Sequence, residues 1–207
     1  MEHTIRNLFP TPVYYGLVKD YDNIQKELSG CIDKIDFSYN KVFGQTHHLS
    51  DPTFKENLFE KYKFKCFPEE LKQHLGIYLS NLGFQLNGFT VESSWIALYR
   101  KGDYAHIHHH GGSDISGAYY FKVNKEEGDG KFFFTSPNLA LDSSLMGKKY
   151  GGRMPGPSDQ GGILLFPGWL PHGVETHQLE EERIVLSFNI LVHGQMVDEE
   201  MLDKLYK

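Results

Sequence analysis

The sequence predicts an α+β protein in which helices pack on an antiparallel β sandwich or barrel. Three observations carry this. Helical periodicity dominates residues 1–88, while from Phe89 the pattern becomes short strand-like runs divided by Gly-rich turns. Aromatic residues make up 14% of the chain and gather in strand-favouring runs such as Tyr119-Tyr120-Phe121 and Phe132-Phe133-Phe134. Helices first and strands afterwards place the two kinds of element in separate layers. At 207 residues the chain is expected to form one domain with a core that needs no staples. Its parts are a mainly helical portion 1–88, a β core 89–193 and a tail 194–207.

Taken in order, Pro12 to Val18 reads as a short strand. A helix follows with Asp22 as its N-cap and an apolar stripe of Ile24, Leu28, Cys31, Ile32 and Ile35. A short helix is expected after Pro52. Pro68 opens a second long helix with the stripe Leu71, Leu75, Tyr78, Leu79 and Leu82, closed by Gly83. Strands are expected at 89–100, 104–110, 115–123, 130–135, 162–166, 172–177 and 183–193, with a short charged helix over 197–207. Between Phe134 and Gly161 lie 26 residues rich in Pro and Gly, a candidate lid.

Composition narrows the function. Twenty-one basic against 27 acidic residues give a net charge of −6, which argues against broad binding to nucleic acid. Cys31 and Cys66 lack CxxC spacing, and the simplest setting for them is a reducing cytoplasm. No apolar run reaches membrane-spanning length and no signal-peptide pattern opens the chain, so no membrane partner is expected. Base rates alone make a homodimer the first guess for any assembly.

Chemistry concentrates in Gly102 to Gly112, where His106, His108 and His110 alternate. In a strand these three share one face and His109 points away. Imidazoles converging in this way suit iron, zinc, copper or nickel. His108 and His110 are the preferred local pair, with His106 competing. Downstream, Leu165-Phe-Pro-Gly-Trp-Leu-Pro-His172 ends an apolar strand in a turn and a histidine, and Arg183 follows eleven residues later. Arg183 leads into the apolar run Ile184 to Val192, so burial is expected, and a buried guanidinium needs an anion. That anion is either a ligand carboxylate or an internal one such as Glu175. Trp95, Tyr99, Arg100, Phe132, Phe134 and Trp169 are candidate pocket residues. His47, His48, His74, His177 and His193 carry no motif and are read as structural or surface groups.

These residues resemble the iron(II)- and 2-oxoglutarate-dependent dioxygenases, and most of all a bacterial and phage-associated subgroup of 2-oxoglutarate–iron oxygenases. The likeness rests on Leu8 to Val13, on Ser116-Gly117-x-Tyr119-Tyr120, on 165–172 and on 183–189, in that order along the chain. It implies a double-stranded β-helix, or jelly-roll, core with the N-terminal helices packed on it and the metal at its open end. It further implies His108, His110 and His172 as iron ligands, with Gly102 as the register mark that favours His108 over His106. Arg183 is implied as the partner of the distal carboxylate of 2-oxoglutarate, with Tyr120 assisting and Asn189 facing the site.

One departure stands out: His110 occupies the place where most of the superfamily has Asp or Glu. Asp114 lies beyond the Gly111-Gly112 turn, so the strand does not position it as a substitute. The expected cofactors are Fe(II), 2-oxoglutarate as co-substrate and O2. The expected reaction couples oxidative decarboxylation of 2-oxoglutarate to hydroxylation of a small-molecule, amino-acid or peptide substrate. The rivals are a cupin-like three-His metalloenzyme that does not use 2-oxoglutarate, and a metal-binding jelly-roll without turnover.

Overall fold

The computed structural model describes residues 10–40, 46–138 and 152–196. Among the described residues, eleven strands and three helices run in the order β1 (Tyr14–Leu17), α1 (Tyr21–Ile32), β2 (Ser38–Tyr39), β3 (His48–Leu49), α2 (Leu58–Lys61), α3 (Cys66–Asn81), β4 (Phe84–Tyr99), β5 (Ala105–His108), β6 (Ile115–Lys122), β7 (Phe132–Thr135), β8 (Arg153–Pro155), β9 (Gly162–Pro167), β10 (His172–Val174) and β11 (Arg183–Met196). A seven-stranded sheet has the order β1-β9-β6-β11-β4-β3-β2 and faces a four-stranded sheet, β5-β10-β7-β8. Every named strand pair is antiparallel. This is the jelly-roll arrangement of two sheets enclosing a core.

Both faces of the large sheet are buried, and the alternation of its strands shows why. Ile96 and Leu98, Tyr119, Ile163 and Leu165, and Ile184, Leu186 and Phe188 point outward into a core shared with the helices. Their neighbours Trp95, Ala97 and Tyr99, Ala118 and Tyr120, Leu164 and Phe166, and Val185 point inward between the sheets. The expected stripes Ile24, Leu28 and Cys31 of α1, and Leu71, Leu75, Tyr78 and Leu79 of α3, fill the outer layer.

Several boundaries differ from the sequence expectation for physical reasons. Helix α1 starts at Tyr21, so Asp20 takes the cap position and Asp22 lies in the first turn, where its charge still complements the helix dipole. Helix α3 begins before Pro68, because the Glu27 carboxylate of α1 accepts from the backbone amides of Lys65 (2.5 Å), Cys66 (3.1 Å) and Phe67 (2.9 Å). The short helix after Pro52 forms later, as α2, where Asn57 caps the Phe59 amide at 3.0 Å. Strand β4 begins at Phe84, straight after the Gly83 turn, and β11 extends to Met196 against it. Thus the N-terminal portion supplies strands β1, β2 and β3 to the large sheet as well as helices; β2 and β3 have two residues each, too few for a periodic signal.

Within the long connection Arg153–Pro155 forms β8 against β7. Residues 139–151 of that candidate lid, the expected helix over 197–207 and the residues Leu8 and Phe9 lie outside the described residues. Among the described residues no helix is long and apolar enough to cross a membrane.

Candidate metal centre

The short strand β10 lies between β5 and β7, which sets His172 directly opposite His108 on one side and Phe134 on the other. The turn before β10 grips the segment that carries His110. The His110 amide donates to the Gly168 carbonyl at 2.7 Å, and the Gly168 amide donates to the Asp114 carbonyl at 3.1 Å. A Cβ on Gly168 would lie 2.2 Å from the Ser113 carbonyl oxygen and 2.8 Å from that of His110, so only glycine permits this approach. The Pro-Gly-Trp turn therefore fixes two of the three histidines at once.

His108, His110 and His172 bring one ring nitrogen each to within 4.8 Å of one another. His108 Nδ1 lies 2.7 Å from the His106 carbonyl and His172 Nδ1 lies 2.9 Å from the Leu170 carbonyl. A carbonyl only accepts, so both Nδ1 atoms carry the proton and both Nε2 atoms present a lone pair. Burial favours the neutral form of all three rings: His110 is pushed down to about 3 by burial and then by the neighbouring His108, and burial also lowers His108 and, strongly, His172. Phe132 stacks on His172 with centroids 5.3 Å apart, and the Trp95 ring lies 5.6 Å from that of His110. Three neutral nitrogens in an apolar setting form a donor set suited to a first-row divalent metal.

The competing groups do not join the cluster, although His106 and His109 line the same cavity. His106 is exposed, with its ring edge-on to Tyr104 at 5.0 Å, and it is not part of the cluster. His109 is exposed, as alternation requires. Asp114 turns its carboxylate to the Val192 amide at 2.8 Å, on the far side of the turn.

Arg183 opens β11 with 1% of its surface exposed. Its guanidinium carbon lies 5.4 Å from the Tyr99 ring centre and 5.5 Å from that of Tyr120. The internal anion beside it is Asp129, with Oδ2 3.8 Å from Nε, and not Glu175, whose side chain is exposed. At 3.8 Å this is an ion pair without a hydrogen bond. Arg183 Nε, Arg183 Nη2 and the Tyr120 hydroxyl are all buried with no hydrogen-bond partner among the described residues. Burial raises the Asp129 carboxyl, and Arg183 opposes that shift. Asn189 faces the same space, but its amide is engaged: Oδ1 accepts from Ser116 Oγ at 2.8 Å and Nδ2 donates to Ser93 Oγ at 3.2 Å.

These groups meet in one cavity of about 300 Å³ between the sheets, lined by the three histidines, Arg183, Tyr120 and Asn189. Arg183, Val185, Ser187 and Asn189 line it at period two along β11, as do Ser116, Ala118 and Tyr120 along β6. Of the candidate pocket aromatics, Trp95, Tyr99 and Phe132 line the cavity. Phe134 is core, Trp169 is 49% exposed and Arg100 is an exposed partner of Glu182.

Residues 93–189 match the sequence model of a family of 2OG-Fe(II) oxygenases. That segment belongs to the 2OG-Fe(II) oxygenase superfamily. The fold of the chain is shared by HygX from Streptomyces hygroscopicus, solved with nickel, 2-oxoglutarate and hygromycin B, at TM-score 0.60 and 12% identity over 87% of this chain and 82% of that one. It is shared by a prolyl-4-hydroxylase from Pseudomonas putida at TM-score 0.56 and 14% identity, covering 86% and 92%. The 2-oxoglutarate-dependent epimerase SnoN of nogalamycin biosynthesis matches at TM-score 0.61 and 10% identity, covering 87% and 76%. No curated protein matches the sequence.

Iron(II), 2-oxoglutarate and O2 are the cofactors of this superfamily, and the residues of the cavity fit them. The histidine triad supplies three neutral donors. The orphaned donors of Arg183 and Tyr120 are what an incoming carboxylate would satisfy. Sequence reasoning missed Asn40, Thr46, His47 and Phe54 as lining residues. It also missed Asp129. The pair His47-His48 was visible, but nothing in its spacing distinguished a cavity wall from a surface.

Proposed function

We propose that the protein is an Fe(II)- and 2-oxoglutarate-dependent dioxygenase that hydroxylates a small-molecule, amino-acid or peptide substrate. The observation that carries this is a single cavity with three converging neutral imidazoles and, deeper between the sheets, buried guanidinium and phenol donors that lack an acceptor. His108, His110 and His172 would hold the iron, with the Nδ1 bonds of His108 and His172 to backbone carbonyls aiming Nε2 at it. Arg183 and Tyr120 would bind the distal carboxylate of 2-oxoglutarate through charge-assisted bonds, and so orient its keto-acid end toward the histidines. Asn189, held by Ser93 and Ser116, would present a fixed polar wall beside them. Iron with 2-oxoglutarate and O2 supplies an oxidation in which 2-oxoglutarate becomes succinate and CO2 while one oxygen atom goes to the substrate. Phe132, Phe166 and Trp95 give this space an apolar lining.

The test is anaerobic titration of the Fe(II) protein with 2-oxoglutarate, which gives a visible charge-transfer band on chelation, followed by a succinate-release assay against peptides, amino acids and nucleotides. Without a band, and with O2 uptake indifferent to 2-oxoglutarate, the proposal fails. A second reading, a cupin-like three-His enzyme with no 2-oxoglutarate, is favoured by His110 in place of a carboxylate and by Asp129 beside Arg183. The same titration separates the two.

A further inference from the structure

Arg183 stands between two spaces. On one side it lines the cavity; on the other lies Asp129, which is 4% exposed and is not a cavity-lining residue. Asp129 is held by one hydrogen bond and has two further charged or polar neighbours. Its Oδ2 accepts from the Asn124 amide at 3.0 Å, its Oδ1 lies 3.5 Å from His177 Nδ1, and Arg183 Nε lies 3.8 Å from Oδ2. His177 is fixed in turn, because its Nε2 donates to the Glu181 carbonyl at 2.6 Å and its backbone bonds both Asp103 and Gly102. The Asp129 carboxylate is thus close enough to offset the charge of Arg183 but too far to satisfy its N–H groups.

We infer that Asp129 is a resident counter-ion of Arg183 that tempers the binding of a ligand carboxylate in the cavity. The inference rests on reading Arg183 as the carboxylate site for 2-oxoglutarate. Before ligand arrives, Asp129 spares the protein an uncompensated buried cation, which is among the costlier defects a core can hold. Once a ligand carboxylate reaches the other edge of the guanidinium, two anions flank one cation and repel each other through it. Asp129 therefore stabilises the empty state more than the occupied one. Its presence weakens 2-oxoglutarate binding, and it weakens the hold on succinate, which keeps the same distal carboxylate. Asp129 is a positioning and charge-balancing residue, not a catalytic one.

The test compares wild type with Asp129→Asn, an isostere able to keep the Asn124 bond without the charge. Both are loaded with Fe(II), held without O2, and titrated by calorimetry with 2-oxoglutarate, with succinate and with 2-oxopentanoate, which has a methyl group in place of the distal carboxylate. The expected result is that D129N binds 2-oxoglutarate and succinate about tenfold more tightly and 2-oxopentanoate with unchanged affinity. A general structural effect would move all three ligands together and would overturn the inference, as would unchanged or weaker binding of 2-oxoglutarate. If D129N is too unstable to isolate alone, melting of protein prepared with 2-oxoglutarate decides: the inference requires a larger ligand-induced rise in Tm than in wild type. A variant that fails to fold even with saturating 2-oxoglutarate also overturns it, because the ligand carboxylate then cannot stand in for Asp129. Arg183→Ala separates this from the underlying reading. If its loss leaves the ratio of 2-oxoglutarate to 2-oxopentanoate affinity unchanged, the carboxylate site itself has been misplaced.

Discussion

His108 and His172 are direct cross-strand partners on β5 and β10, and their ring centroids are 4.4 Å apart. Each ring is steered by a carbonyl two residues before it, His106 for His108 and Leu170 for His172. The pairing register thus places two of the proposed ligands, and the turn that precedes β10 places the third. Replacing either residue by Ala should lower metal affinity by about a hundredfold or more, since three-point chelation becomes two-point. His106→Ala and His109→Ala should bind metal as wild type does. Calorimetry with Ni(II) distinguishes the two groups, and a loss of affinity in H106A would mean the register is wrong.

The protonation state of the triad gives a pH prediction. An exposed imidazole titrates near 6.5, so metal binding at pH 6 would have to displace protons. Here burial lowers all three histidines, His110 to about 3, so at pH 6 fewer protons compete with the metal than at exposed imidazoles. Ni(II) affinity should therefore fall less between pH 7.5 and 6 than at a site of exposed imidazoles, and binding heats should depend only weakly on the ionisation enthalpy of the buffer. The sign for stability runs the same way. Below pH 6.5 the unfolded chain takes up protons that the folded metal-free protein refuses, so stability is fully present above 6.5 and is lost as pH falls toward the lowered folded values. His47, pushed down to about 4 by burial, adds to the same loss.

Much of this site was legible because alternation is a strong signal. Residues two apart on a strand share a face, so the His run and the run from Arg183 to Asn189 place their side chains without knowledge of the fold. The turn at 167–171 was legible from its prolines and glycine, although its grip on His110 was not. Asp129 was illegible. It sits between Gly128 and Gly130 in a turn, a setting ordinary for any loop aspartate, and meets Arg183 through the packing of β7, β10 and β11. Glu175 was the natural guess by nearness in sequence, but its backbone amide bonds Lys131 at the strand edge and its side chain faces solvent. Phe54 was hidden for another reason. Asp51 accepts from the amides of Thr53, Lys55 and Glu56 and winds a turn that holds Phe54 at φ 56°, with its ring edge-on to Trp95. No local propensity foretells that backbone for a phenylalanine.

Gly168 gives a test of how the His110 segment is held. A methyl group there meets backbone oxygen at 2.2 Å, and backbone cannot rotate away as a side chain can. Gly168→Ala should cost about 1–3 kcal/mol of stability through overpacking. It should also shift His110 and so weaken metal binding, whereas Gly112→Ala, with nothing near its Cβ, should do neither. Thermal melting of the metal-free proteins and Ni(II) calorimetry check both parts. Normal metal affinity in a destabilised G168A would show that the turn supports the fold without placing the ligand.

Tyr120 is the sharpest probe of the carboxylate site, because its two expected effects have opposite signs. Its ring is fully buried and packs in the inner core, while its hydroxyl has no hydrogen-bond partner among the described residues. An unmet buried hydroxyl costs roughly 1–3 kcal/mol, so Tyr120→Phe should leave the ligand-free protein as stable as wild type or more so. On the proposed reading, that hydroxyl gains an anionic acceptor when 2-oxoglutarate binds. Removing it should then weaken 2-oxoglutarate binding by about ten- to a hundredfold, the worth of one hydrogen bond to a charged group. Iron content and affinity for 2-oxopentanoate should not change. Melting curves without ligand, set beside calorimetric Kd values, read both signs at once. A lower Tm would mean that the hydroxyl already has a partner in the ligand-free protein, and unchanged 2-oxoglutarate affinity would mean that the distal carboxylate binds elsewhere.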